Sequence, residues 1–454
     1  MAHSRFQTLA SYMRPHWKSA AVGIAALFVV NGLSVYIPLL IRDGLDELQQ
    51  SFNFDRVIYY ALLVLVLSTI MWFTRMLSRI RLFGIGRQVE FDLKQRIFRH
   101  LLKLEPAYFT VNTPGDLISR ATSDVDNIRR LLGFAVLSTA NLIFAYILTL
   151  PAMLSIDIRL TLAAIGVYPC ILILVQIFSN RLRNQQMGVQ QETSSLSDLI
   201  QEDMSGIALI KIYAQEENER RAFQQLNQEL LQANLNLSKT QNTLFPLLRG
   251  LASLSQLALL ALGFGEIANN QLSVGDFVAL LLFAERLVFP TALLGFTITA
   301  YQRGEVSIDR LEAILSTEPR IQDDPGAIDL PRSAVRGQLT ARHLTFTYSG
   351  ASKPALNDIN FTVEPGETVA VVGPIGSGKS TLANALPRLL EISPGQLFLD
   401  GYDITQIQLP DLRSAIAYVP QESFLFSTTI KNNIRYGDPV SEQPEVEYAA
   451  KQSQ

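Results

Sequence analysis

Six apolar stretches, each close to the roughly 20 residues a helix needs to cross a bilayer, constrain this chain more than any other feature. They fall at about 19–41, 57–79, 132–154, 158–179, 246–268 and 276–298. In hydrocarbon a backbone must satisfy its own N–H and C=O groups, so runs of this length become helices. The first is too long for a signal peptide, and no small-residue cleavage site follows it, so it is read as retained. The last 120 or so residues instead read as a soluble α/β protein. The composition, 48% hydrophobic and 17% charged, averages these two unlike parts and falls below the usual quarter of charged residues. The expected organisation is an α-helical membrane domain over 1–316, a linker over 317–336 marked by Pro319, Pro325, Gly326 and Pro331, and an α/β domain over 337–454.

Charge sets the expected orientation. Arg5, Arg14 and Lys18 precede the first stretch without an acid, whereas Asp43, Asp46, Glu47 and Asp55 outnumber Arg42 and Arg56 after it. The loop after the second stretch carries Arg81, Arg87, Lys94, Arg96, Arg99 and Lys103. The positive-inside rule then places both termini and the long loops in the cytoplasm. Those long loops, near 80–131 and 180–245, are polar, have apolar residues at helical spacing and lack runs of Gly or Pro. They are expected to be helices continuing past the bilayer. Turns at Thr113–Arg120 and Met204–Lys211 are placed where another domain would be touched. Phe6, Leu9, Tyr12 and Trp17, interspersed with basic residues, suit a short amphipathic helix at the membrane surface. Glu285 and Arg286 sit deep in the sixth stretch, four or five residues before Pro290. Charges there line a transport pathway or bind a neighbouring helix, and the proline is expected to kink its helix. A net charge of −3 gives no pull toward nucleic acid. With Cys170 alone, and His3, His16, His100 and His343 scattered, neither a disulfide within the chain nor a metal cluster is expected.

The soluble part carries one specific motif. Glu367–Val372 is a β-prone run leading into Gly373, Pro374, Ile375, Gly376, Ser377, Gly378, Lys379 and Ser380, followed by the helix-forming Thr381–Leu386. Strand, G-x-x-x-x-G-K-S and helix together make a phosphate-binding loop. The glycines let backbone N–H groups approach phosphates, and the helix N-terminus adds partial positive charge. Lys379 is expected to reach the β- and γ-phosphates of ATP, with Ser380 as a ligand of Mg²⁺ and Thr381 beside it.

Beyond that loop, Phe346-Thr347-Tyr348 ahead of Pro354-Ala355-Leu356, Gly395–Gly401, Tyr418-Val419-Pro420-Gln421 and the run from Phe426 to Tyr436 resemble the ATP-binding domain of ABC exporters. Phe109–Asp126, Ser205–Ala214 and Leu272–Phe277 resemble the family's membrane domain. The resemblance covers essentially the whole chain and is closest to bacterial multidrug or lipid half-transporters, in which the membrane domain is fused ahead of the ATP-binding domain. It implies that Tyr348 stacks on adenine, that Gln421 contacts Mg²⁺ and the attacking water, and that two half-transporters, identical or different, pair in the bacterial inner membrane. ATP would then drive export of a small amphipathic or hydrophobic molecule (a drug, lipid or peptide) by alternating access.

The family pattern continues after Gln421 with a Ser/Gly-rich signature loop, a strand ending in Asp-Glu and a switch histidine, none of which occurs in these 454 residues. The soluble part is therefore read as an incomplete, C-terminally truncated P-loop NTPase domain. It contributes Lys379 and Gln421 but no complete catalytic set, and sustained hydrolysis is not expected of this chain. The alternative reading is a hydrolysis-incompetent nucleotide-binding fragment or pseudo-transporter.

Overall fold

The computed structural model describes residues 5–50, 52–269, 271–421 and 423–453. The side chains of Arg5 and Phe6, expected on an amphipathic face, lie outside the described residues. Two compact units are present, one of residues 1–102 and 113–317, the other of residues 103–112 and 318–454.

The first unit is helical. α1 (Arg5–Met13) leads through a 3₁₀ turn into α2 (Trp17–Gln50), and α3 spans Phe54–Leu101. α4 (Pro106–Val111) belongs to the second unit. α5 (Pro114–Ser119), α6 (Val125–Arg130) and α7 (Val136–Ile156) form one run, joined by π-helical turns at Arg120–Asp124 and Leu131–Ala135. Then follow α8 (Ile158–Ile165), α9 (Tyr168–Ser205), α10 (Ile207–Ile212), α11 (Glu216–Ala268) and α12 (Val274–Leu315). Six helical runs are long and apolar enough to cross a membrane. α3 has 48 residues and α11 has 53, so at 1.5 Å per residue each runs about 70–80 Å, more than twice the roughly 30 Å of hydrocarbon. The excess explains the polar sequence beyond each apolar stretch: those turns are helical extensions outside the bilayer. α12 continues unbroken through Pro290, as membrane helices tolerate when neighbouring groups take up the freed carbonyl.

Two apolar cores hold this bundle. One gathers Phe283, Leu280 and Leu287 of α12 with Met153, Tyr168, Ile171 and Leu259. The other gathers Leu82 and Ile85 of α3, Val125, Ile128 and Leu131, and Ile308 and Leu311 of α12. Tyr12 of α1 is buried in the second core, and its hydroxyl donates to Glu312. The tyrosine of the expected surface helix therefore packs on protein. Its phenol finds a carboxylate there that a lipid surface does not provide.

The second unit is built on an antiparallel sheet of order β2-β1-β3-β4, from β1 (Leu339–Phe346), β2 (Leu356–Val363), β3 (Leu397–Leu399) and β4 (Tyr402–Asp403). Helices α13 (Lys379–Ala385), α14 (Leu409–Ala415), α15 (Ile430–Ile434) and α16 (Gln443–Gln452) accompany it. Leu344, Leu397, Ile407 and Leu412 are fully buried at its centre. Residues 317–336, read as a linker, are mostly held on this unit. Ile321 and Leu330 are buried, the Leu330 N–H donates to Asp411 at 3.0 Å, and the Leu409 N–H donates to Asp323 at 2.8 Å. The buried Arg388 guanidinium, its pKa pushed down by burial, reaches the carbonyls of Ile404 and Thr405 at 3.4 and 3.3 Å.

One expected strand does not form. Glu367–Val372 lies outside every strand, with Val369, Val371 and Val372 at 52%, 55% and 87% exposure. β-propensity expresses the fit of a side chain to a pleated surface with cross-strand neighbours. Among the described residues no strand pairs with this run.

Candidate nucleotide site and membrane polar clusters

The phosphate-loop motif folds around two glycines in the left-handed region, Gly376 at φ +84° and Gly378 at φ +88°. Residues with a Cβ pay a steric penalty in that region. Gly378 is constrained twice: a Cβ there would lie 2.4 Å from the Ala355 carbonyl oxygen, against the end of the turn joining β1 to β2. The backbone thus turns back against the sheet and enters α13 at Lys379, with the Leu382 N–H closing on the Gly378 carbonyl at 2.9 Å. Gly373 to Ser377 are exposed, and Ile375 projects fully into solvent. The exposed loop forms a cradle that a methyl at Gly378 would distort.

Lys379 crosses this cradle. Its Nζ donates to the carbonyls of Gly373 and Pro374 at 2.9 and 2.8 Å, and lies 3.4 Å from Ser377 Oγ. Ser380 is exposed in the first turn of α13, and Thr381 behind it is buried. Tyr348 comes to the same turn from the loop after β1: its hydroxyl is 3.1 Å from Thr381 Oγ1, and its ring meets Phe346 edge-on at 4.9 Å. The aromatic residue and the glycine loop, 25 positions apart at their nearest, are thereby brought together. Gln421 is exposed, and among the described residues it makes no hydrogen bond to the loop. Three residues earlier, Tyr418 ties its segment to α13 by donating to Asn384 Oδ1 at 2.6 Å. That link leaves no trace in the sequence, since a lone asparagine in a helix carries no spacing signal.

In the membrane unit the two deep charges part company. Arg286 is half-buried and donates from Nη2 to the Asn31 carbonyl at 3.1 Å and to Asn31 Oδ1 at 2.8 Å. Asn31 in turn donates to Asn141 Oδ1 at 3.1 Å, so one polar chain joins α12, α2 and α7. Glu285 is exposed and takes no part. For Arg286 the bond to a neighbouring helix is therefore the observed role, because its guanidinium finds backbone and amide oxygens inside the bundle. The Leu272–Phe277 segment caps α12. Ser273 Oγ accepts from the Asp276 N–H at 2.9 Å and donates to Asp46 Oδ2 at 2.7 Å, while Asp46 Oδ1 accepts from the Gly275 N–H at 2.9 Å. A carboxylate from the end of α2 thus satisfies orphan donors at the start of α12. Of the turns expected to touch another domain, Thr113–Arg120 stays with the helical unit, where Asp116 pairs with Arg120 at 2.7 Å and Arg310 at 3.0 Å. The segment just before it, 103–112, is part of the second unit, where Glu105 accepts from the Arg320 N–H at 3.3 Å.

Comparison with known proteins accounts for both units. Residues 21–291, more than half the chain, match the ABC transporter transmembrane region, and residues 356–454 match a second family model, described as ABC transporter. A "probable multidrug resistance ABC transporter ATP-binding/permease protein" of Bacillus subtilis is 29% identical over 98% of this chain and 76% of its own length. A "multidrug resistance-like ATP-binding protein" of Escherichia coli is 27% identical over 98% and 75%. An "ATP-dependent lipid A-core flippase" of Syntrophus aciditrophicus is 27% identical over 98% and 74%. Six bilayer-length helical runs ahead of a glycine-loop domain, matched along both parts, establish that the chain belongs to the ABC transporter family, as an ATPase-coupled exporter with fused membrane and ATP-binding regions.

Proposed function

We propose that the loop from Gly373 to Ser380 binds the phosphates of ATP and that this binding drives export by a pair of half-transporters. The observation carrying this reading is the cradle itself: left-handed Gly376 and Gly378 with the Lys379 ammonium lying across the mouth. An ammonium held by two neutral carbonyls can exchange them for phosphate oxygens, whose negative charge adds Coulomb attraction to each hydrogen bond. The amides of Ile375, Gly376, Gly378 and Thr381 and the start of α13 supply further donors. Tyr348, steadied by Thr381, offers its ring to adenine. Ser380 and Gln421 would hold Mg²⁺, which would supply positive charge against the phosphates.

By the distribution of Arg and Lys, both termini and the nucleotide site face the cytoplasm of a bacterial inner membrane. The partner is a second half-transporter, identical or different. The named relatives point to an amphipathic or apolar cargo, such as a drug or a lipid. Equilibrium Mg-ATP binding to the detergent-purified chain tests the reading: Lys379→Ala should weaken it at least tenfold without lowering the melting temperature. Unchanged affinity in that variant sinks it. Sustained phosphate release that vanishes with Lys379→Ala marks turnover by these residues; binding without release marks the nucleotide-binding alternative.

A further inference from the structure

Two tyrosine hydroxyls from separate loops meet the same side of α13. Tyr348 Oη lies 3.1 Å from Thr381 Oγ1, and Tyr418 Oη donates to Asn384 Oδ1 at 2.6 Å. Thr381 and Asn384 are three positions apart, so their side chains neighbour each other on one helical face. Thr381 is buried and Asn384 half-buried. One of the two loops carries the ring offered to adenine. The other leads to Gln421, three residues beyond Tyr418.

The second link matters more, because little else holds its loop. At the end of α14 the Ile416 N–H closes on the Arg413 carbonyl at 3.4 Å. Further along, the Phe426 N–H donates to Asn433 Oδ1 at 2.8 Å. Gln421 falls midway, five positions from either. Between those two points the Tyr418–Asn384 bond is the only hydrogen bond among the described residues. The ring follows its hydroxyl: Tyr418 is 39% exposed, against 91% for Val419 and 75% for Phe424. Three extended residues span at most about 11 Å, so the bond confines the Gln421 backbone to that distance from Tyr418. Without it, Gln421 stands at the centre of an untethered span. A side chain already held near its target loses less freedom on binding, and affinity rises accordingly.

We propose that Tyr418 is a positioning residue for the metal side of the nucleotide site: by donating to Asn384 it ties its loop to α13 and so sets the reach of Gln421 toward Mg²⁺. The helix that starts at Lys379 then carries both attachments, Tyr348 for the base and Tyr418 for the metal. The proposal deepens the nucleotide reading above and rests on it.

The test measures the affinity of the full purified chain for a fluorescent ATP analogue twice, in excess Mg²⁺ and in EDTA. The ratio of the two affinities is the contribution of the metal. Y418F removes one hydroxyl and keeps the ring. It should lower that ratio by roughly threefold to tenfold, the worth of one neutral hydrogen bond, and leave affinity in EDTA within about twofold. N384A should do the same, and Y418F/N384A should lose no more than either alone, because all three break one bond. In a Q421A background Y418F should have no further effect on the ratio, since the tyrosine acts through that glutamine. Y402F, which removes an exposed hydroxyl from β4, should leave the ratio unchanged. An unchanged ratio in Y418F, additive losses in the double variant, or an undiminished loss in the Q421A background overturns the proposal. So does a parent chain that binds equally well with and without the metal. Equal losses in both conditions overturn it in favour of a purely structural hydroxyl. Lys379→Ala should lose affinity in both conditions, and its failure to do so removes the nucleotide reading itself. An intact Lys379→Ala effect beside an unchanged Y418F ratio removes the positioning role alone.

Discussion

Gly376 and Gly378 permit a graded test of the phosphate loop. Both have positive φ, +84° and +88°, so alanine at either position incurs the left-handed penalty of about 1–2 kcal/mol. They differ in surroundings. A Cβ at Gly376 meets nothing within 4 Å, whereas one at Gly378 lies 2.4 Å from the Ala355 carbonyl oxygen. That oxygen is backbone and cannot swing aside; the Ala355 N–H is itself bonded to the Phe346 carbonyl at 2.8 Å, closing the turn between β1 and β2. Relieving the contact requires the loop to lift from the sheet by most of an ångström, a displacement of the kind that costs about 1–3 kcal/mol in overpacked cores. Gly376→Ala should therefore weaken Mg-ATP binding by about 1–2 kcal/mol, roughly 5- to 30-fold, and Gly378→Ala by about 2–5 kcal/mol, at least roughly 30-fold. Titration of the purified variants with a fluorescent ATP analogue reads both, with thermal melting as a check on folding. Equal losses at the two positions, or a larger loss at Gly376, would refute the claim that close approach at Gly378 shapes the cradle.

Two further outcomes follow from contacts already described. Tyr348→Phe keeps the aromatic face and gives up the bond to Thr381, so ATP affinity should stay within about fivefold of the parent. Tyr348→Ala should lose about 1–3 kcal/mol, the usual worth of stacking a base, and identical affinities for the two variants would rule out adenine stacking. Asp46→Ala should destabilise the helical unit by about 1–3 kcal/mol, since it leaves the Gly275 N–H and the Ser273 hydroxyl without their charged acceptor. Ser273→Ala should cost less, because Asp46 keeps Gly275; melting in detergent distinguishes the two, and a wild-type melting point for Asp46→Ala contradicts the cap.

Much of this protein was legible along the chain because the responsible signals are local. A bilayer-length apolar run must be helical whatever it packs against, so the six spanning helices follow from hydropathy alone. A polar sequence at helical spacing carries those helices onward. The glycine loop is equally local: the six positions from Gly373 to Gly378 set the turn, and Lys379 follows by spacing. What stayed hidden depends on partners brought from far away in sequence. Glu367–Val372 has strand composition, yet a strand exists only when another strand lies alongside, and none of the described residues does so. Residues 103–112 read as the middle of the long inside segment 80–131, and they group with the unit that carries the glycine loop. Glu285 and Arg286 are adjacent and look alike on paper. Only the packed bundle decides that Arg286 reaches Asn31 on α2 while Glu285 stays exposed. Asp46 is a further case. It reads as one acid among several after the first apolar stretch, yet tertiary packing brings it onto Ser273 and Gly275 at the start of α12, because the direction of a side chain across a bundle is set by neighbouring helices and not by its own.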